Sequence, residues 1–182
     1  MKRLFFLLAL IFFIQLNAQS QVYYTKNGNI SFFSKSVLQN IEADNNQVIS
    51  VLNTQSGSIQ FSLLNNAFQF EKAKMQEDFN ENYIESNQYP RSTFKGTITN
   101  ISGVNFQKDG SYNVSVNGDL AIHGVTKSIA IPATIIVKNG NISAKANFNI
   151  PVKDFKIDIP TIVSKKIAEN IQIKVDCDYQ KK

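Results

Sequence analysis

Residues able to do chemistry are few in this chain, and they are scattered. His123 is the only histidine. Gly124 follows it and sets it in a tight turn, where one role is a turn-stabilising hydrogen bond and another is contact with a polar ligand head. Glu85, flanked by Ile84 and close to Tyr89, is the carboxylate best placed to leave solvent, although it serves equally to cap or solvate a helix end. The remaining carboxylates fall mainly on wet strand faces, whereas acid–base catalysis needs titratable groups converging in a pocket. Cys177 is the single cysteine, so no intrachain disulfide forms, and its place on the apolar side of a strand marks a buried, inert thiol. No second histidine or cysteine cluster offers a metal site, and neither a G-x-S-x-G elbow nor a phosphate-binding glycine loop occurs. The expectation is a protein with no catalytic residues and no metal.

The elements that position these residues begin after an address. Lys2 and Arg3 precede an apolar run from Leu4 to Ile14, and Ala18 and Ser20 supply an A-x-S cleavage pattern. Residues 1–20 therefore read as a signal peptide and residues 21–182 as one exported domain, periplasmic in a host with an outer membrane and otherwise secreted. The apolar run is shorter than the ~20 residues that span a bilayer, so the mature form is expected to have no membrane span. Cleavage removes two of the 19 basic residues and none of the 14 acidic ones, lowering the net charge from +5 to +3. Lys165-Lys166 and Lys181-Lys182 are isolated pairs, not the clustered basic face of a nucleic-acid partner.

Alternation dominates the second half. Tyr112, Val114, Val116, Leu120 and Ile122 share one face; so do Ile129, Ile131, Ala133, Ile135 and Val137; then Ile142, Ala144, Ala146, Phe148 and Ile150; then Ile171, Ile173, Val175, Cys177 and Tyr179. Polar residues occupy the other face of the first, third and fourth runs, which marks antiparallel strands with one wet side. Asn27-Gly28, Ser56-Gly57, Asp109-Gly110 and Asn139-Gly140 carry the signals of tight hairpin turns. Gly118, inside a strand, marks a bulge or close packing against a lid. The first half offers candidate strands near Val22–Thr25, Asn29–Ser34, Leu38–Ala43, Val48–Asn53 and Ser58–Leu64. The pattern predicts an all-β, antiparallel up-and-down barrel or a sandwich.

One segment breaks the rhythm. Glu71–Phe94 is charged and amide-rich, and Met75, Phe79 and Tyr83 recur every four residues as a narrow helical stripe. The helix is expected to fray after Tyr83. Tyr89-Pro90 closes the segment, because proline lacks the ladder N–H and biases the residue before it away from helix.

This segment resembles the YceI-like family of exported, lipocalin-like proteins. The resemblance rests on Tyr83-Ile84-Glu85-Ser86, then Tyr89-Pro90, then Thr93-Phe94. A second match runs from Gly118 to Lys127, as G-D-L-A-I-H-G-V-T-K, and a weaker third is Phe148-Asn149-Ile150 followed by Asp154-Phe155. Together they cover roughly residues 22–180. The chain departs from the family's pattern at Asp78, where many members have histidine, and at Lys153 and Lys156, which flank the late Asp-Phe.

The resemblance implies a lipocalin-like β-barrel of about eight strands with one short helical lid. It also implies a non-enzymatic binding or transport role for a long isoprenoid-type lipid or quinone, with no other cofactor. Expected tail contacts are Met75, Phe79, Tyr83, Ile84 and Phe94 near the lid, and Val114, Val116, Leu120, Ile131, Ile135, Ala144 and Phe148 on the strands. His123 and Glu85 are the expected contacts for a polar head. Ala133, Ala144 and Ala146 would leave room inside. The alternation alone allows a second outcome, a structural or interaction barrel whose side chains fill the interior and bind no lipid.

Overall fold

The computed structural model describes residues 21–36, 40–160 and 167–182. The leader expected over residues 1–20, the first two residues of the Leu38–Ala43 strand and the Lys165-Lys166 pair lie outside them.

The strands run in chain order: β1 Val22–Lys35, β2 Asn40–Asn53, β3 Ser58–Leu64, the two-residue β4 Gln69–Phe70, β5 Arg91–Ile98, β6 Gly110–Ile122, β7 Val125–Lys138, β8 Asn141–Pro151 and β9 Asn170–Lys181. Eight of them form a ring of antiparallel neighbours, closed where β1 pairs with both β2 and β9. β4 stands outside the ring and extends along β2 beyond the end of β3, through Ala43 and Asp44. A closed ring leaves no free edge, and this up-and-down order is the lipocalin-like arrangement.

The alternating runs of the second half are the inward faces of β6 to β9. Val116, Ile131, Ala144 and Cys177 are buried, while Asn117, Ala130, Lys145 and Asp176 beside them are more exposed. In the first half, the first four of the five expected short strands fall on two long ones, β1 and β2, and Ser58–Leu64 is β3. Asn27-Gly28 is not a turn: it lies within β1, where the register against β2 shifts between Thr25 and Gly28. The reason is steric. A Cβ on Gly28 would collide with Cys177 Sγ and meet Val48 O at 3.3 Å, so glycine is what lets the β1 wall pack closely on Cys177 at this bulge. Asp109-Gly110 is also not a hairpin. Residues 99–109, with a 3₁₀ turn at Ile101–Gly103, join β5 to β6. Asn139-Gly140 and His123-Gly124 are tight hairpin turns, with φ values of 52° and 77° and of 50° and 71°. Gly118 packs closely, but against Gly96 of β5 and not against the lid.

The barrel is packed solid at one end. Leu52, Ile98, Val137, Ile142, Cys177 and Tyr179 belong to one buried cluster there. Ser50 Oγ donates to Gln60 O at 2.8 Å and lies 2.7 Å from Tyr179 Oη, so the Tyr179 hydroxyl is the donor in that second bond. Burial pushes the Cys177 thiol up from 9.0 to about 12, and burial likewise raises Tyr179. A raised folded value contributes stability that is full below the unfolded value and is lost as pH climbs through the folded one. Stability is therefore expected to hold up to about pH 9 and to decline above it, with a shallower decline in Cys177→Ala, measured by melting temperature against pH. The native thiol should also resist a thiol reagent at neutral pH and label fully in denaturant.

Candidate functional site

The other end of the barrel is open inside. A cavity of about 400 Å³ reaches from Ile59, Val116, Ile131 and Ala144 at its floor to the lid and to Ile157, Ile159 and Ile167 of the β8–β9 connection. Its wall is overwhelmingly hydrocarbon and phenyl, and its size falls within the usual range for small-molecule sites.

The lid is a single helical turn, α1 Ala73–Asp78, continued by a π-helical turn over Phe79–Tyr83. Ile84 N donates to Phe79 O at 2.8 Å, the i→i−5 bond of that wider turn. A spacing of four overshoots a 3.6-residue turn; the wider turn returns Tyr83 to the side of Phe79. Met75, Phe79, Tyr83 and Ile84 all line the cavity. Phenyl contacts fix the lid to the rim. Phe79 meets Phe32 of β1 at 5.5 Å between ring centroids, Phe68 at 5.7 Å and Phe70 of β4 at 5.1 Å. Each such pair adds roughly 0.5–1.5 kcal/mol beyond area burial.

The Tyr89-Pro90 exit has an equally direct cause. Asn65, fully buried after β3, receives their carbonyls: its Nδ2 donates to Tyr89 O at 2.6 Å and its backbone N to Pro90 O at 2.9 Å. Its Oδ1 accepts from Ser92 Oγ at 2.7 Å. One buried asparagine thus ties the end of β3 to the start of β5, and the lid is the chain looped between them.

Of the expected tail contacts, Met75, Phe79, Tyr83, Ile84, Phe94, Val116, Leu120, Ile131, Ala144 and Phe148 line the cavity. Val114 and Ile135 do not. They face inward but belong to the packed cluster at the other end, with Ile98 and Val104. Ala144 and Ala146 border the cavity and Ala133 does not. Sequence reasoning missed Phe32, Phe61, Phe68 and Phe70, whose signal was the density of phenylalanines between residues 32 and 70.

His123 and Glu85 are brought together, but outside the cavity. His123 Nε2 lies 2.8 Å from Glu85 Oε2, and Nδ1 lies 3.1 Å from Phe155 O. The carbonyl only accepts, so Nδ1 carries a hydrogen. Nε2 faces the Glu85 carboxylate, so both ring nitrogens point at acceptors. The Tyr89 ring stands edge-on to the imidazole at 4.4 Å. Gly124 is obligatory beside it: its φ is 71°, and a Cβ would meet Tyr89 Cε1 at 2.7 Å. Neither of these two residues, expected at a ligand head, lines the cavity. These two side chains bind each other and join the lid exit, the β6–β7 turn and the 3₁₀ turn Val152–Phe155 into one corner. Among the described residues, no group of three or more His, Cys, Asp or Glu side chains is placed to hold a metal ion, and no helix is long and apolar enough to cross a membrane.

A closed eight-stranded barrel, solid at one end and hollow with an apolar wall beneath a helical lid at the other, defines a lipocalin-like binding protein. The chain belongs to the YceI-like domain family, whose model matches residues 17–179. Solved structures agree on the fold. A polyisoprenoid-binding domain from Saccharophagus degradans superposes with a TM-score of 0.77 at 14% identity, covering 90% of this chain and 100% of that one. Burkholderia cenocepacia BcnA gives 0.69 at 20% identity, over 84% and 96% of the two chains. The Campylobacter jejuni YceI protein gives 0.61 at 18%, over 80% and 88%. A comparison with curated protein sequences returned no match.

Proposed function

We propose that this protein is an exported, non-enzymatic carrier that holds a long isoprenoid-type lipid or quinone, tail inward, in the cavity beneath the lid. The observation that carries the reading is the cavity itself, about 400 Å³ of space walled by Phe, Ile, Leu and Val in an otherwise close-packed barrel. Transfer of a chain into such a wall is favourable by about 0.8 kcal/mol per buried CH₂. Phenyl and branched aliphatic side chains suit a branched, unsaturated tail. The Saccharophagus degradans relative, described as a polyisoprenoid-binding domain, supports the same ligand class. Export rests on the leader-like residues 1–20. The absence of catalysis is supported by the mutual engagement of His123 and Glu85 away from the cavity.

Native mass spectrometry of the purified protein, followed by organic extraction, tests this directly. The expected spectrum shows one lipid per chain, or stoichiometric uptake when a prenol or isoprenoid quinone is added. Protein that is empty and takes up neither would sink the carrier reading.

A further inference from the structure

Two rims face each other across the mouth of the cavity, and each has its own core. The lid packs through Phe79 into the cluster of Phe68 and Phe70. The β8–β9 connection is held by Phe155, buried with Ile150 and Ile171. Phe32 touches both clusters. The hydrogen bonds from Glu85 through His123 to Phe155 O run from the lid exit to that connection. Glu85 keeps an unfavourable backbone to make its part of the tie. Its φ is 48°, the left-handed position after a helix that glycine usually fills, yet the chain places a carboxylate there.

The tie depends on one proton. The two ring nitrogens of His123 face Glu85 Oε2 at 2.8 Å and Phe155 O at 3.1 Å. A neutral imidazole has one N–H and one lone pair, so it satisfies one acceptor and turns a lone pair to the other. The imidazolium donates to both, and its bond to the carboxylate is charge-assisted. Histidine is the side chain whose charge changes between pH 5 and 8. Other charged and titratable groups sit on each element of this corner. On the lid exit, the Tyr89 hydroxyl accepts from Gln88 Nε2 at 3.0 Å. Lys153, Asp154 and Lys156 lie at the 3₁₀ turn and Lys127 on β7; all four are exposed, and among the described residues none hydrogen-bonds His123 or Glu85.

We propose that this tie is a pH-sensitive clasp on the mouth of the cavity, closed while His123 is protonated and loosened when the proton leaves. A bound lipid is then held in mildly acidic surroundings and released faster in alkaline ones. This rests on the cavity's being the lipid site, since the clasp joins the lid to the connection that carries Ile157, Ile159 and Ile167 of its wall.

The test follows transfer of a fluorescently labelled, uncharged prenol from the loaded protein to phosphatidylcholine vesicles by stopped flow, between about pH 5.5 and about pH 8.5. Release is expected to quicken roughly tenfold across that range, the factor that about 1.4 kcal/mol of lost hydrogen bonding produces. Its midpoint should coincide with the titration of the His123 ring, which NMR reads without assignment because the chain has one histidine. Glu85→Gln offers the neutral ring an amide donor and the charged ring an amide oxygen, so its release should be slow and flat with pH. His123→Asn keeps the hairpin, since asparagine before glycine suits this turn, but its shorter side chain cannot span both partners; its release should be fast and flat. Wild-type release that is indifferent to pH or quickens toward acid, or a slope that survives in either variant, overturns the clasp and leaves the lipid site standing. A protein that loads no prenol at any pH in the range removes the lipid site, and the clasp with it.

Discussion

Ala146→Phe is expected to reduce lipid uptake at least ~10-fold while changing folding stability by no more than about 1 kcal/mol. Ala146 lies on β8 between Ala133 and Val175, and its methyl borders the cavity. A benzyl group there enters empty space, occupies the volume that a lipid tail needs and strains nothing around it. Val137→Phe is the matched control. Val137 is buried in the solid end of the same barrel, where added bulk forces neighbours off their rotamers at a cost of about 1–3 kcal/mol. Probe displacement and urea unfolding of the two variants separate them. A barrel that was filled throughout would make both lose stability and neither lose a specific function.

The contrast between those two positions also explains what the sequence could disclose. Strand alternation has a period of two and reports only which face a residue occupies. It says nothing of how far along the barrel axis that residue sits. Val114 and Val116 are therefore indistinguishable as residues and share one buried cluster, yet only Val116 borders the cavity. The choice between a filled barrel and a hollow one was likewise not a choice for the whole chain, since each description holds for one end. The second half was legible because the wet faces of β6, β8 and β9 are mostly polar. The first half was not. Tyr23-Tyr24 and Phe32-Phe33 place aromatic side chains on both faces, and the bulge at Gly28 shifts the register between them.

The lid was legible as an interruption closed by Tyr89-Pro90, and its stripe of Met75, Phe79 and Tyr83 does face the interior. Its anchoring was hidden. Phe68 and Phe70 sit at a 3₁₀ turn and in a two-residue strand, too short to carry a period. Glu85 binds His123, and His123 in turn binds Phe155 O; the three are distant in the chain and meet only because the β6–β7 turn and the β8–β9 connection share one end of the ring. Pairing of this kind is set by topology, which local sequence does not encode.

Gly118→Ala is the single-methyl change expected to damage this fold most. Gly118 of β6 stands opposite Gly96 of β5 on the inward side, and neither has a positive φ, so the demand is for space and not for conformation. A Cβ at Gly118 would lie 2.5 Å from both Gly96 Cα and Lys95 O, and 2.6 Å from Phe94 Cζ. Two of those three atoms are backbone held by the β3–β5 and β5–β6 ladders, so they cannot swing aside. The bare pair of glycines is the seat on which the Phe94 ring lies, since a Cβ at Gly96 would also meet that ring at 2.7 Å. The added methyl must part the two strands or lift the ring into the cavity that it lines. Either outcome should cost about 3 kcal/mol or more, lowering the melting temperature by roughly 6–12 °C for a domain of this size. Phe94→Leu in the same background separates the two routes. If the ring yields, the smaller side chain restores much of the lost stability; if the ladder yields, the double variant stays as unstable as Gly118→Ala alone.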